Sequence, residues 1–598
     1  MTPHWNGSVP SGLVKRGRFP MDRSLRGRGC RLSSFIDGDF DATQWSNIEP
    51  YTKHLLERKL TCSGCLEALI KDASTLAEHI SEAGALLYIG MTCDTESEEK
   101  RDSFLDFSSN VRPKLSEFSD SLNRRIVEHP AVGDLPKRYD LMLRGMRTDI
   151  EIFRKENIPL KVRQTELVTE AQGITGGMTV EFDGEERTFP QMSVYLEANE
   201  RSVRQAAWTA MSSRRMQDHE RMSEIFDELV SLRHQMALNA GFESFTHYMF
   251  KAMHRFDYSI EDCLEFHNSV ESVCMPLLSE INRERTEAMG LAELSPWDVN
   301  EKSGGGPDIH GREPLRPFET VDEMVEKLSE MFYEISLDLG SKFDKLVEMD
   351  TLDLDTRKGK APGGYQYYLE KSRIPFIFMN AAGLQGDLET MIHEAGHAFH
   401  SLYCGHLELI DERNYPIEFA EVASMSMELL TQPWWNKFYD KEEADRARRT
   451  HLEGVVFLLP WIATIDSFQH WIYENPGHTR EERAKVWLSI RDRFGSEMDW
   501  TGHSDFKEVS WQQQGHLYGV PFYYIEYGIA QLGSLQLWKT QLDNPQKALD
   551  NYANAMKLGN TRTLPDLFSA AELKLGFDED HFFSLMSSVE SSLADLPT

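Results

Sequence analysis

From about residue 45 onward, apolar residues recur three and four positions apart, the spacing that puts them on one face of an α-helix. Leu66, Ile70, Leu76, Ile80 and Leu86 make one such stripe among charged neighbours. Phe104, Phe107, Val111, Leu115 and Phe118 make a second, and Ile225, Phe226, Leu229, Leu232 and Met236 a third. Three stretches break the rhythm. Residues 173–190 alternate and carry Asp183-Gly184, the signature of a β-hairpin. Residues 294–317 are rich in glycine and proline and too polar for a core. Residues 358–386 hold Gly363-Gly364 and then a short β-type run at 374–379. The prediction is a mostly α protein with a small sheet. No repeat of fixed period stands out, so a solenoid is not expected.

Length adds that one core is not enough: 598 residues call for two or more packed subregions. A basic tail over 1–31, an N-terminal helical part over 32–200 ending in the hairpin, and the remainder over 201–598 form the expected division. The tail lacks the apolar segment of a secretory signal. The longest apolar run, 454–465, contains Pro460 and ends at Asp466, short of the ~20 residues of a membrane span. Net charge is −33, which argues against a general nucleic-acid binder. Seven scattered cysteines make no disulfide framework, and a reducing cytoplasm is the simplest setting. Cys62 and Cys65 form a lone C-x-x-C in helical text, read as two unpaired thiols at a helix start.

The segment that carries chemistry is 388–403, LETMIHEAGHAFHSLY. His393 and His397 are four apart, so on a helix the second imidazole returns over the first, one turn on. Two neutral imidazoles so placed hold one Zn²⁺ at roughly 2.0–2.1 Å. Glu394, beside the first histidine, is set to take a proton from bound water, the H-E-x-x-H arrangement. Asp387 is a candidate N-cap, and the small Ala395, Gly396 and Ala398 allow a close approach. A catalytic zinc needs a third protein ligand. His400, His406, Glu408, Glu418, Glu421 and Glu428 are the candidates downstream, and spacing does not choose among them. His400 lies two turns along the same helix, which suits packing better than ligation. A new helix is expected from 417 to 430, with Glu418, Glu421 and Glu428 on one face.

HEAGHAFHSLYC followed by EFAEVASMSMELL resembles the thimet oligopeptidase and neurolysin family, in particular its oligoendopeptidase F branch. The resemblance implies that the third ligand is the glutamate of Phe419-Ala420-Glu421-Val422-Ala423-Ser424, and it makes Glu428 a residue behind the ligands. It implies an elongated two-lobed fold with a deep substrate channel, and an edge strand at 374–380 able to hold an extended peptide. It also gives meaning to 511–530, WQQQGHLYGVPFYYIEYGIA. By residues alone this stretch reads as an aromatic packing seam, with His516, Tyr523 and Tyr527 on one face if it is helical. The family places a histidine and a tyrosine cluster there, closing over the substrate and donating to the oxyanion. The assignment is therefore His516 and Tyr527 as catalytic donors and Tyr523 and Tyr524 as substrate contacts. The expected function is a zinc-dependent oligoendopeptidase with one Zn²⁺, held by His393, His397 and Glu421, with Glu394 as general base, cleaving short unstructured peptides. Two alternatives remain: a C-terminal dipeptidase or carboxypeptidase on the same fold, and a catalytically silent peptide-binding protein.

Overall fold

The stripes become helices where their spacing predicts. In the computed structural model, which describes residues 35–36 and 40–598, the first stripe lies on the helix Ser63–Thr92. Leu66, Ile70 and Leu76 are buried, but Leu86 is 45% exposed. Over a 30-residue helix the buried line drifts, and Ala85 and Ile89 take the place expected of Leu86. The second stripe spans Glu98–Asp106 and Arg112–Val127, joined by a π-helical turn at Phe107–Val111. Pro113, one residue past Arg112 at the end of that turn, has no N–H to donate back into it. The third lies on the 40-residue helix Arg201–Ala240 with Ile225, Phe226, Leu229 and Met236 buried. Residues 1–40 and 41–598 are separate units, and among the described residues the helices and strands belong to the second. The basic segment 1–31 and Cys30 lie outside the described residues.

The hairpin forms from β1, Thr179–Phe182, and β2, Glu185–Thr188, paired antiparallel through a two-residue turn. Asp183 and Gly184 both have positive φ, 54° and 78°, as the turn requires. A second sheet holds β3, Leu352–Asp355, β4, Tyr365–Leu369, and β5, Ile374–Ala381, in the order β3-β5-β4. β5 is parallel to β3 and antiparallel to β4. The run at 374–380 is thus the central strand, not the edge strand that the family resemblance implied. Proline cannot donate to a ladder, but Pro375 sits beyond the stretch that β3 pairs, so a central place costs no bond there. The edge nearest the histidine motif is β4.

Residues 294–317 contain no helix or strand, as expected, yet they are not excluded from the interior. Leu294, Val299 and Leu315 enter the main core. Asp298 is fully buried because Arg201 and Arg204 neutralise it, at 2.6 and 2.9 Å.

Three helices position the site. Gln385–Cys404 carries the histidines, Ile417–Thr431 packs against it, and Tyr524–Asp543 also packs against Ile417–Thr431. The helix Lys441–Glu474 runs past them and is long and apolar enough, by length and composition, to cross a membrane. A continuous-run criterion stops at Asp466 and misses this. Most of that apolar window is buried inside the fold, as for a core helix.

Candidate metal centre and active site

The histidine helix starts at Gln385 with Leu384 as its cap residue. Asp387 is therefore the third helical residue and not the N-cap. Its carboxylate reaches back to accept from the Leu384 and Ala382 amides at 2.9 and 2.7 Å. This anchored start presents His393 and His397 one turn apart, ring centroids 4.9 Å from each other. Glu421 Oε2 lies 3.3 Å from His393 Nε2 and 3.4 Å from His397 Nε2. The three ligand atoms all fall within 4.8 Å of one another.

The crossing that brings Glu421 there depends on Gly396. A Cβ at that position would lie 2.6 Å from Ser424 Cα and 2.8 Å from the Ala423 carbonyl oxygen. Both are backbone atoms, so the two helices would have to separate. Gly396→Ala is expected to lower the melting temperature and weaken metal retention together, at a cost of about 1–3 kcal/mol. Thermal melts with and without added zinc check this; a variant that retains both would sever the link between crossing and site.

The other candidates are placed elsewhere. His400 is fully buried and stacked on Tyr415, ring centroids 3.5 Å apart, so it packs and does not ligate. His406 lies by the Tyr403 carbonyl, Glu408 pairs with Lys71, and Glu418 accepts from the Tyr258 hydroxyl at 2.7 Å. Glu428 stands behind the histidine: its Oε1 is 2.6 Å from His393 Nδ1, and its Oε2 is 3.0 Å from His451 Nε2. Gln432 in turn lies 2.7 Å from His451 Nδ1. A proton on His393 Nδ1 pointed at Glu428 leaves the Nε2 lone pair facing Glu421.

Burial pushes Glu421 up, but the imidazoles of His397 and His393 outweigh it and hold the carboxyl well below its ordinary range. Two imidazole nitrogens and one carboxylate oxygen in contact is the donor set of a zinc site and needs a cation to be at ease. Glu394 is buried, and its Oε2 has no hydrogen-bond partner. Burial raises its pKa, opposed by His393 and His397. The loop before β4 comes close to it: a Cβ on Gly364 would sit 3.3 Å from Glu394 Oε1. These residues fit a metal ion with an acidic neighbour left free for a proton.

The 511–530 stretch is not one helix. Gly515–Gly519 and Tyr524–Asp543 are separate, with Phe522 between them at φ 66°. The break still gathers the predicted groups. His516 Nε2 is 3.3 Å from the Tyr527 hydroxyl, and its ring packs against Tyr523, Tyr524 and Tyr527 at centroid distances of 5.8, 5.1 and 5.8 Å. The three tyrosines have different commitments. Tyr523 donates to Glu421 Oε1 at 2.6 Å, and Tyr524 to Gln514 Oε1 at 3.4 Å. The Tyr527 hydroxyl has His516 beside it and remains protonated, since burial and then Glu421 raise its pKa far above the ordinary value.

Gln514 lies inside the WQQQGH segment, but no spacing rule singles it out. Its Oε1 accepts from Trp461 Nε1 at 3.3 Å and from Lys302 Nζ at 3.4 Å, both donor-only groups. That fixes the amide's orientation, so its NH₂ faces His516 Nδ1 at 2.7 Å. His516 Nδ1 therefore accepts, and Nε2 carries the proton towards Tyr527. Burial holds the His516 imidazole down at about 4, opposed by Glu421 and aided by Lys302, so it stays neutral at physiological pH. Tyr527→Phe removes the free O–H without emptying the space, and should lower kcat about 100-fold with metal content unchanged. Steady-state kinetics beside elemental analysis test it; an undiminished kcat would leave Tyr527 a packing residue.

Beside Glu428 and His451 opens a cavity of about 600 Å³, lined also by Glu389, Lys302, Arg446 and Trp297.

Residues 194–582 match the model of peptidase family M3, and residues 35–153 match the family's N-terminal domain. The chain belongs to peptidase family M3. Within it, curated relatives include oligopeptidase PepF of Bacillus subtilis, 27% identical over 42% of this chain and 38% of that protein. Group B oligopeptidase PepB of Streptococcus agalactiae is 22% identical over 48% of this chain and 46% of its own length. These two alignments span less than half of either relative. An oligoendopeptidase F homolog of Borreliella burgdorferi is 20% identical over 76% of both chains. Among solved structures, PZ peptidase A with an inhibitor superposes with a TM-score of 0.89 at 27% identity, covering 94% of this chain and 99% of that one. The mostly helical M3 fold is shared over nearly the whole length.

Proposed function

We propose that the chain is a zinc-dependent oligoendopeptidase that hydrolyses internal bonds of short, unstructured peptides. The observation that carries this reading is the convergence of His393, His397 and Glu421, with Glu394 buried and unpartnered close by. His393, His397 and Glu421 would hold the ion, and Glu428, itself paired with His451, orients His393 from behind. Zinc bound there supplies Lewis acidity, acidifying water and polarising the scissile carbonyl. Glu394 takes the water's proton and returns it to the leaving amine. Tyr527, whose oxygen accepts from His516 Nε2–H, turns its own O–H to the oxyanion, and Gln514 holds His516 in the tautomer that this requires. Tyr523 steadies the outer oxygen of Glu421, and Tyr524 lines the same aromatic group. The cavity beside Glu428 is the place for peptide residues flanking the scissile bond, and β4 is the strand edge available to an extended backbone.

All of these groups fall within 201–598, in keeping with a catalytic domain there and an N-terminal helical domain over 32–200. The six cysteines among the described residues are free, which supports a reducing compartment such as the cytoplasm.

One observation favours a second reading. Lys302 and Arg446 both line the cavity, and a cation there suits the free carboxylate of a substrate C-terminus. A quenched peptide blocked at both ends decides between them. Internal cleavage, lost with chelator and restored by zinc, is the expected result. Cleavage confined to peptides with a free C-terminus would move the assignment to a C-terminal dipeptidase. No cleavage of either would overturn both and leave peptide binding.

A further inference from the structure

A second cluster of metal-ligating side chains lies between two other helices. Ile260–Ser269 carries Cys263 and His267, and Lys441–Glu474 carries Asp466 and His470. Each pair is four residues apart, so each helix presents two donors one turn from each other. All four side chains belong to buried residues, between 0% and 4% exposed. Cys263, Asp466 and His470 each offer one ligand atom, and these atoms all lie within 4.8 Å of one another. The cluster shares no residue with the His393–His397–Glu421 site.

The hydrogen bonds around it are incomplete. His267 Nε2 is 2.9 Å from Asp466 Oδ2, and His267 Nδ1 is 3.1 Å from Ser467 Oγ. That engages one side of the carboxylate and leaves Asp466 Oδ1 with no partner. Neither ring nitrogen of His470 makes a hydrogen bond, although Nε2 approaches Asp466 Oδ2 to 3.4 Å. The His470 ring is edge-on to Phe522 at 5.2 Å and tilted against Phe250 at 6.4 Å, neighbours that offer no conventional hydrogen-bond acceptor. Cys263 Sγ has one weak bond, 3.4 Å to the Ser259 carbonyl oxygen. Buried polar atoms left unpaired in one place are costly, and native interiors rarely keep them. A divalent cation eases the deficit at all three residues, engaging one of the two unpaired His470 nitrogens. It takes lone pairs from Asp466 Oδ1, one His470 nitrogen and the Cys263 sulfur. The Cys263 thiol proton leaves to solvent as the metal–sulfur bond forms, with no change of oxidation state. Thiolate and carboxylate then balance the two positive charges.

We propose that Cys263, Asp466 and His470 form a second, structural metal site that ties Ile260–Ser269 to the long helix, with His267 orienting Asp466. Sulfur with imidazole selects a borderline cation such as Zn²⁺ over Ca²⁺ or Mg²⁺, which take oxygen ligands.

The test uses the full chain with Cys62→Ser and Cys65→Ser, because those two sulfurs, 3.0 Å apart, could take up metal themselves. Glu421→Ala is added to empty the first site. After loading with Co²⁺ and gel filtration, this protein is expected to keep one equivalent of cobalt. It should also show a thiolate-to-cobalt charge-transfer band in the near ultraviolet, which no histidine–carboxylate site produces. Adding Cys263→Ser should abolish the band. If that last variant does not fold, the Glu421→Ala protein alone still decides. No retained cobalt, or retained cobalt without the band, overturns the proposal.

Discussion

Glu394→Gln is expected to lower kcat/KM for an internally quenched peptide by about a thousandfold, with bound zinc and melting temperature at wild-type values. The magnitude is that of a positioned general base removed from the reaction. Glutamine has the volume of glutamate but no basic oxygen, so the attacking water keeps its proton. The change should be silent structurally because Glu394 Oε2 accepts no hydrogen bond from the chain. It should be silent for the metal because the ligand atoms are those of His393, His397 and Glu421. Three readouts separate the outcomes: kinetics, elemental analysis and a thermal melt. Full activity in the variant would sink the assignment of the base. Lost zinc would mean that Glu394 is part of the coordination and not beside it. The same logic extends to Gly364, whose missing side chain leaves Glu394 Oε1 its space.

The site is legible in the sequence where it is local and obscure where it is not. His393, Glu394 and His397 follow from helical spacing because one helix carries all three. Glu421 is on another helix, and nothing in spacing says which of its three glutamates faces the histidines. The helix crossing decides that, and its trace in the sequence is Gly396, a residue small enough for a close approach whose partner only the fold reveals. Glu428 is visible as a neighbour of the ligands, but His451, which completes its contacts, stands on a helix that only the tertiary fold brings near. Gln514 is hidden differently. Its meaning comes from Trp461 and Lys302, two donors remote in the chain that fix which way its amide points.

The fold divides the same way. Stripes at 66–80 and 225–236 are readable because burial there follows the helical period. The order β3-β5-β4 is not, because strand neighbours depend on crossovers that a local pattern does not encode. Thus 374–380, an edge by resemblance, is a centre. The 511–530 segment suggests one helical face, whereas Pro521 and the positive φ of Phe522 split it. His516 and Tyr527 meet across that break, so the grouping is right and the single-helix geometry is not.

Glu421→Ala and Glu428→Gln should separate a ligand from a residue that orients one. Glu421 Oε2 is the atom that both Nε2 donors face, so its removal leaves two imidazoles, too few to retain zinc. Protein passed through gel filtration should carry one equivalent of zinc fewer than the wild type and cleave no peptide. This variant also orphans the Tyr523 hydroxyl and Ser424 Oγ, which both bond to Glu421, at a cost of about 1–3 kcal/mol, so a melt must accompany the metal measurement. Glu428→Gln leaves the three ligand atoms untouched and weakens the hold on His393 Nδ1 and His451 Nε2. Zinc affinity should fall only about 10–100-fold, measurable by competition with a chromophoric chelator. At this site the wild type should bind tightest, Glu428→Gln next and Glu421→Ala not at all. If Glu421→Ala retained the zinc of the His393–His397 site while Glu428→Gln lost it, the third ligand would be Glu428, and the helix Ile417–Thr431 would have to turn about its axis to present it.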